Sequence, residues 1–208
     1  MDNPRKKKKP VSRRAFLQSM GGGAVGAGVV SRVLGTEAFA SQTGPGDMEI
    51  VASRTISLNL NGKKLKVTAE AGETLLEVLR EKLRLTGAKR VCNRGECGGC
   101  TVLLNGKPVY ACHILALQAD GAEVLTVEGL AEGDKLHPVQ QAFIDKDGYQ
   151  CGFCTPGFIM ASVGLLKKNA KPTFDEIRAG LAGNLCRCGN YQKIYAAVSS
   201  AADVLGRT

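Results

Sequence analysis

The chain has 208 residues, of which 44% are hydrophobic and 5% aromatic, and it carries a formal charge of +9. This length accommodates one large domain or two small ones, and the hydrophobic fraction is ordinary for a globular protein. The charge is concentrated at one end, because residues 1–40 have eight Lys and Arg against two acids and the remainder has 20 against 17. We therefore expect no nucleic-acid partner.

Residues 1–40 have the three parts of an export signal in the usual order. A basic stretch precedes an apolar run at 20–34, and Ala-Phe-Ala at 38–40 fits a cleavage site. The apolar run is too short and too rich in glycine for a stable membrane span. Ser-Arg-Arg-Ala-Phe-Leu at 12–17 closely matches the twin-arginine motif. We predict export to the periplasm by the twin-arginine route, with cleavage near Ala40; a basic tail with a chance arginine pair is the alternative.

The next part of the chain predicts a small mixed sheet packed on a helix. Residues 41–53 have the composition of a linker, and an Asn-Gly pair turns each of two β-hairpins. Alternating apolar residues predict the strands, and a 3.6-residue period predicts the helix. In chain order we predict strands at 55–60 and 64–69, a helix at 74–84, and strands at 101–104, 108–112 and 123–127.

After Gly129 the apolar period changes from about two to about 3.6, which predicts a helical unit. Thr173 and Glu176 have the spacing of a capping box at the start of one helix. Four helices are predicted, at 138–146, 156–168, 174–181 and 191–205. We place one domain at 54–130 and a four-helix domain at 131–206.

Eight cysteines form two sets of four, with none left over. The first set has the C-x4-C-x2-C spacing of a plant-type [2Fe-2S] site and a more distant fourth member. Three glycines lie among these cysteines and allow backbone N–H groups to approach the sulfurs. Four-thiolate zinc usually shows two C-x2-C pairs, which disfavours zinc here. The set comprises Cys92, Cys97, Cys100 and Cys112.

Basic residues lie close to this first set. Lys89, Arg90 and Arg94 either offset the negative charge of a cluster held by thiolates or form an ordinary solvated face. The sequence leaves both interpretations open.

The second set combines a C-x2-C pair with a remote C-x-C pair, and it comprises Cys151, Cys154, Cys186 and Cys188. Thr155-Pro156 and Asn190 are candidate helix starts beside these cysteines, where the helix dipole favours an anionic cluster. Taken alone, this spacing also fits zinc or a disulfide pair. The neighbouring plant-type set favours a second iron-sulfur cluster.

At these residues the chain closely resembles the iron-sulfur subunit of the molybdenum hydroxylases, the family of xanthine dehydrogenase and aldehyde oxidoreductase. The resemblance covers about residues 54–205. The residues Gly-Asn-Tyr at 189–191 depart from the commoner Thr-Gly-Tyr, a difference that concerns local packing rather than ligation. The matching motifs are CNRGECGGCTV at 92–102, LHPVQQAF at 136–143, QCGFCTPG at 150–157 and GNLCRC at 183–188.

The resemblance implies an α+β chain, in which an N-terminal ferredoxin-like β-grasp domain precedes an all-α four-helix domain, each with one [2Fe-2S] cluster. It also implies a large partner subunit that holds a molybdopterin cofactor and oxidises substrate with water as the oxygen source. Gln150 and Cys188 would then lie on the pterin side, and the plant-type cluster would pass electrons outward. The acceptor would be FAD in a medium subunit or a cytochrome. With the export signal, the branch resembled is that of the periplasmic aldehyde oxidoreductases.

The sequence shows no signature of substrate turnover by this chain alone. His113 and His137 lack the spacing of a catalytic or Rieske site, and both are expected to be structural. No nucleophile elbow, P-loop, Rossmann fingerprint or C-x-x-C-H haem motif occurs. We therefore predict a redox subunit of a molybdenum-dependent oxidoreductase. Two alternatives stay open: a stand-alone exported ferredoxin, and a binding module stabilised by zinc or disulfides.

Overall fold

In a computed structural model the described residues are 52–206, and they belong to one compact unit. The predicted export signal and nearly all of the predicted linker lie outside this range. Among the helices of residues 52–206, none has both the length and the apolar character that a membrane crossing needs.

The first part of this unit is a five-stranded mixed sheet with the strand order β2-β1-β5-β3-β4. β1 runs parallel to β5, and the other neighbouring strands are antiparallel. Both hairpins turn at the predicted Asn-Gly pairs, where φ is positive. The predicted linker extended one residue too far, because Ser53 already pairs with Glu70. The strands are β1 (Ser53–Leu60), β2 (Lys63–Glu70), β3 (Thr101–Leu104), β4 (Lys107–Tyr110) and β5 (Glu123–Leu125).

The helix predicted at 74–84 is shorter and changes type along its length. Helix α1 (Leu75–Glu77) begins with a capping box between Thr74 and Glu77, and it continues as a π-helical turn over Val78–Lys82. The helix ends early because Arg84 has a φ of 58°, in the left-handed region, which an α-helix cannot contain. β5 is likewise shorter than predicted and is followed by a 3₁₀ turn, Val127–Gly129.

The second part contains the four predicted helices, with ends that differ from the prediction by one residue at most. The capping box of Thr173 and Glu176 is present. His137 is the N-cap of its helix, where its Nδ1 accepts a hydrogen bond from the N–H of Val139 at 3.2 Å. This is a structural role, as expected. The helices are α2 (Pro138–Asp145), α3 (Thr155–Lys168), α4 (Phe174–Gly180) and α5 (Tyr191–Leu205).

Two hydrophobic cores lie on opposite sides of the sheet. One face, with Ile56, Leu58 and Val124, packs against α1. On the other face, Leu103 and Leu125 join the core formed by the helices, and α3 lies against β3. The α+β prediction is therefore confirmed. The boundary near residue 130 stays a prediction, because packing is continuous between the sheet and the helices.

Candidate metal centres

The first cysteine set is gathered by the hairpin of β3 and β4. Three of its members lie on the loop between α1 and β3, and the fourth lies in a 3₁₀ turn, Ala111–His113, directly after β4. The sequence had placed Cys112 in the strand itself. Thr101 pairs with Tyr110 in the hairpin, and the N–H of the next residue, Ala111, donates to the carbonyl oxygen of Cys100 at 3.2 Å. Cys112 follows Ala111, so Cys100 and Cys112 come together at one end of the hairpin.

The second set is gathered by two loops at the same end of the helical unit. Cys151 and Cys154 lie between α2 and α3, and Cys186 and Cys188 lie between α4 and α5. The Sγ atoms of Cys151 and Cys188 are 3.5 Å apart, and both residues are exposed. Cys186 is buried, and its thiol contacts that of Cys154. The set therefore has an inner pair and an outer pair.

The first set is paired in the same way. The thiol of Cys92 lies next to that of Cys97, and the thiol of Cys100 lies next to that of Cys112. All eight cysteines of the chain are free thiols. Between residues 52 and 206, no three Cys, His, Asp or Glu side chains are grouped as they would be around a single metal ion. Two adjacent pairs of sulfurs are the arrangement that a binuclear centre needs, with two ligands for each metal.

Backbone donors and burial give the thiols of the first set unequal acidity. Burial opposes ionisation of Cys92, but the N–H groups of Arg94 and Glu96 outweigh it and lower its pKa to about 7. The N–H of Gly95, whose φ is 77°, donates to Cys112 Sγ at 3.3 Å. Burial raises the pKa of Cys100 to about 12. A bound metal would therefore have to displace a tightly held proton from Cys100.

The second set shows the same division between its inner and outer thiols. Burial, followed by contact with Cys186, raises the pKa of Cys154 to about 12. A hydrogen bond from the N–H of Phe153 lowers the pKa of Cys151. Beside the inner pair, the buried Oγ1 of Thr155 has no hydrogen-bond partner within residues 52–206. Such a hydroxyl would find acceptors in the sulfur atoms of an iron-sulfur cluster.

The helix starts near the second set differ from the prediction. Cys154, not Thr155, is the N-cap residue of α3, and Thr155 is the first helical residue. Asn190 does precede α5, but its side chain makes no capping bond. Its Nδ2 instead donates to the carbonyl oxygen of Asp147 at 2.9 Å, because Asn190 is buried between the loop after α2 and the start of α5.

Arg90 lies on a solvated face of the first set and interacts with acids. Its guanidinium is 3.2 Å from Glu81 and 4.0 Å from Glu77. These carboxylates already compensate its charge. Of the two interpretations left open by the sequence, the structure favours the ordinary solvated face for Arg90.

The two cysteine loops touch each other directly, which the sequence did not predict. The N–H of Leu185 donates to the carbonyl oxygen of Cys97 at 3.0 Å. One residue earlier, Nδ2 of Asn184 donates to the carbonyl oxygen of Gly98 at 2.9 Å. The hydroxyl of Tyr110 donates to the carbonyl oxygen of Gly183 at 2.8 Å. We call these three hydrogen bonds the loop seam.

Close approach at the seam depends on glycine. A Cβ atom on Gly157, at the start of α3, would lie 3.1 Å from two backbone carbons of Gly98 and Gly99 and closer still to the Gly98 oxygen. Only a residue without a side chain fits here. The glycines within C-G-G-C and T-P-G were the available sequence signal, but nothing in the sequence indicated that they face each other.

Gln150, predicted on the pterin side, is exposed beside the outer cysteine pair. Its Nε2 lies 3.5 Å from Oδ1 of Asn190, at the long limit of a hydrogen bond. Phe153, which lies between Cys151 and Cys154, is also exposed, at 52% of its surface. The surface around Cys151 and Cys188 is thus partly apolar and accessible to another molecule.

Comparison with known proteins follows the same division into two parts. A family described as "2Fe-2S iron-sulfur cluster binding domain" matches residues 58–131, and one described as "[2Fe-2S] binding domain" matches residues 126–199. The match of these families, the eight free thiols and the unpartnered Thr155 hydroxyl all fit two [2Fe-2S] clusters.

Several characterised proteins are similar to this chain. The nicotinate dehydrogenase small FeS subunit of Eubacterium barkeri is 48% identical over 149 residues, which are 72% of this chain and 95% of that protein. The aldehyde oxidoreductase iron-sulfur-binding subunit of Escherichia coli is 45% identical over 162 residues, 71% of each chain. A chain of quinoline 2-oxidoreductase from Pseudomonas putida superposes with a TM-score of 0.72 at 40% identity, covering 75% of this chain and 98% of that one.

Proposed function

The chain belongs to the iron-sulfur subunits of the molybdenum hydroxylase family, and we propose that it relays electrons through two [2Fe-2S] clusters in a periplasmic, aldehyde-oxidising member. The family assignment covers the electron-transfer role. The compartment, the substrate class and the partners are the proposed part.

Each cluster supplies a site that accepts and releases one electron at a time. Cys92, Cys97, Cys100 and Cys112 would hold the first, and Cys151, Cys154, Cys186 and Cys188 the second. The sulfur contacts group Cys92 with Cys97, Cys100 with Cys112, Cys151 with Cys188 and Cys154 with Cys186. We propose that the members of each pair share an iron.

The single observation that carries the relay is the hydrogen bond from Leu185 N–H to Cys97 C=O, at 3.0 Å. It joins a ligand residue of the first set to the residue next to Cys186, a ligand of the second. Electrons tunnel more rapidly through covalent bonds and hydrogen bonds than through empty space. A stand-alone ferredoxin with one cluster would have no use for this connection.

The exposure of the outer pair supports a direction of electron flow through the relay. Cys151, Cys188 and Gln150 are exposed on the partly apolar surface around the second set, which suits docking on a molybdopterin-binding large subunit. Near the first set, Cys92 is partly exposed and Val91 is 51% exposed, which suits electron exit. The acceptor there would be FAD in a medium subunit or a cytochrome.

The compartment and the substrate class rest on narrower support. The twin-arginine motif at 12–17 supports export to the periplasm. The Escherichia coli relative that is an aldehyde oxidoreductase subunit supports aldehydes. The Eubacterium barkeri relative supports a second candidate, the oxidation of a nitrogen heterocycle such as nicotinate.

The test is purification of the full chain with its native partners from the periplasm under anaerobic conditions. We expect about four irons and four sulfides per chain, together with a partner containing molybdopterin and turnover of aldehydes. Turnover of nicotinate but not of aldehydes would support the second candidate. Fewer than about three irons per chain would contradict two clusters, and a monomer without a molybdenum partner would favour the stand-alone ferredoxin.

Two variants test separate parts of the proposal. Cys188→Ala should remove one electron paramagnetic resonance signal and keep that of the plant-type cluster, whereas loss of neither signal would reject the ligand assignment. Replacing Arg13 and Arg14 by Lys should retain the precursor in the cytoplasm. Normal export of that variant would reject the twin-arginine route without affecting the redox proposal.

A further inference from the structure

Asn184 is a buried polar residue at the loop seam, with 5% of its surface exposed. Its Nδ2 donates to the carbonyl oxygen of Gly98 at 2.9 Å and lies 3.3 Å from Oγ1 of Thr101. Gly98 stands between Cys97 and Cys100 of the first set, and Asn184 stands two residues before Cys186 of the second. A single side chain thus bridges the two cysteine loops.

The carbonyl group of Gly98 is fixed from several directions. It also accepts hydrogen bonds from the N–H of Thr101 at 3.1 Å and from the Thr101 hydroxyl at 2.7 Å. A Cβ atom on Gly98 would lie 2.5 Å from Nδ2 of Asn184 and 2.8 Å from the carbonyl oxygen of Gly183. No free space separates the amide from the cysteine loop, so the position of Asn184 dictates the position of that loop.

The contact between Asn184 and Gly98 holds in place the hydrogen bond between Leu185 and Cys97, which joins the two cysteine sets. Asn184 and Leu185 are consecutive, as are Cys97 and Gly98. The hydrogen bond that the Asn184 side chain donates to Gly98 therefore lies directly beside the hydrogen bond from Leu185 N–H to Cys97 C=O. Small changes in the length of the Leu185–Cys97 hydrogen bond matter, because the rate of electron tunnelling falls steeply as the distance across a non-covalent contact increases. The remaining seam bond, from the Tyr110 hydroxyl to the Gly183 carbonyl oxygen, starts from β4 and not from the loop that carries Cys92, Cys97 and Cys100.

We propose that Asn184 is a positioning residue for electron transfer between the clusters: its amide holds the Gly98 carbonyl, and so keeps Leu185 N–H on Cys97 C=O. This inference rests on the proposed two-cluster relay. Asn184 contacts neither substrate nor cofactor in this role. Its effect acts through the geometry of the loop seam.

Two substitutions of nearly the same shape separate the donor from other properties of the side chain. Asn184→Leu removes the donor without adding charge, and Asn184→Asp replaces the donor by an acceptor facing the Gly98 oxygen. Asn61→Asp is the matched control, because the Asn61 amide also bonds a threonine, Thr126, at 3.1 Å but far along the chain from the cysteine loops. All variants are made in the full chain purified with its partners.

Two measurements report on the geometry of the loop seam and do not depend on turnover of substrate. Hydrogen exchange of the Leu185 amide should be faster in both Asn184 variants and unchanged in Asn61→Asp. The second measurement is electron paramagnetic resonance of dithionite-reduced samples, in which magnetic interaction between the two reduced clusters splits their signals. This splitting should narrow in both Asn184 variants, because the clusters move apart, while the iron content stays that of wild type. An unchanged splitting with unchanged Leu185 exchange would overturn the proposal, and a change in Asn184→Asp alone would indicate a charge effect and overturn it as well.

If both Asn184 variants lose iron, Thr101→Val decides the question. This substitution keeps the shape of Thr101 but removes the hydroxyl that contacts both the Gly98 oxygen and Asn184. A narrower splitting with full iron content would support the proposal, and a wild-type splitting would refute it. Dithionite reduces both clusters whether or not a molybdenum partner is present, so these outcomes stay distinct from failure of the proposed function.

Discussion

Replacing Gly157 by Ala is the sharpest test of the close approach between the sheet and the helical unit. The added methyl group would meet the carbonyl oxygen of Gly98 and lie 3.1 Å from the backbone carbons of Gly98 and Gly99. These contacts are with backbone atoms, so no side chain can rotate away. The cysteine loop and the start of α3 must therefore move apart.

The magnitude follows from two opposing effects. Overpacking of this kind costs up to about 3 kcal/mol, and the upper end applies because backbone lies on both sides. Alanine in place of glycine in a helix stabilises the folded state by up to about 1 kcal/mol, because alanine has the higher helix propensity. We therefore expect Gly157→Ala to lower the free energy of unfolding by about 2 kcal/mol, which corresponds to a Tm lower by about 4–8 °C for a domain of this size.

The assay compares thermal unfolding of Gly157→Ala with that of Gly72→Ala. Gly72 has no heavy atom within 4 Å of a Cβ position and no positive φ, so alanine there should change stability by less than about 0.5 kcal/mol. Hydrogen exchange of the Leu185 amide should also accelerate in Gly157→Ala, because the seam opens. If Gly157→Ala unfolds at the wild-type temperature and its Leu185 amide is as well protected from hydrogen exchange as in wild type, the inferred contact between the cysteine loop and the start of α3 is wrong.

Three further predictions concern stability. Thr173→Ala should cost about 1 kcal/mol by removing the acceptor for Glu176 N–H at the start of α4, whereas Thr173→Ser should cost little; chemical denaturation measures both. Burial, followed by the charge of Lys167, lowers the pKa of His137, so the folded state favours neutral imidazole. Its contribution to stability is complete above its ordinary value of about 6.5 and is lost as the pH falls through the lowered pKa. A denaturant midpoint measured at several pH values should show this decrease, and His137→Asn, which caps without titrating, should reduce it. Removal of iron by a chelator should lower the Tm, because each cluster crosslinks two segments of the chain; an equal Tm with and without iron would reject that crosslink.

Local patterns in the sequence were sufficient for most of the fold. The Asn-Gly pairs fixed both hairpin turns because few other residue pairs adopt two consecutive positive φ values. The capping box at Thr173 located the start of α4. The errors occurred where tertiary contacts override such signals. The first helix ends early at a left-handed Arg84, and Asn190 bonds the carbonyl oxygen of Asp147 instead of capping α5.

The cysteine spacing by itself determined that the chain has two sets of four thiols, and the motifs around them indicated the family. Ligand spacing is local chemistry, because a short loop must close around the group it holds. Only the tertiary structure decided how the two sets relate to each other. The bond from Leu185 to Cys97 and the bridging amide of Asn184 join residues more than 80 positions apart. Their alignment depends on how α3 packs against the sheet, and no periodicity or motif along the chain encodes that packing.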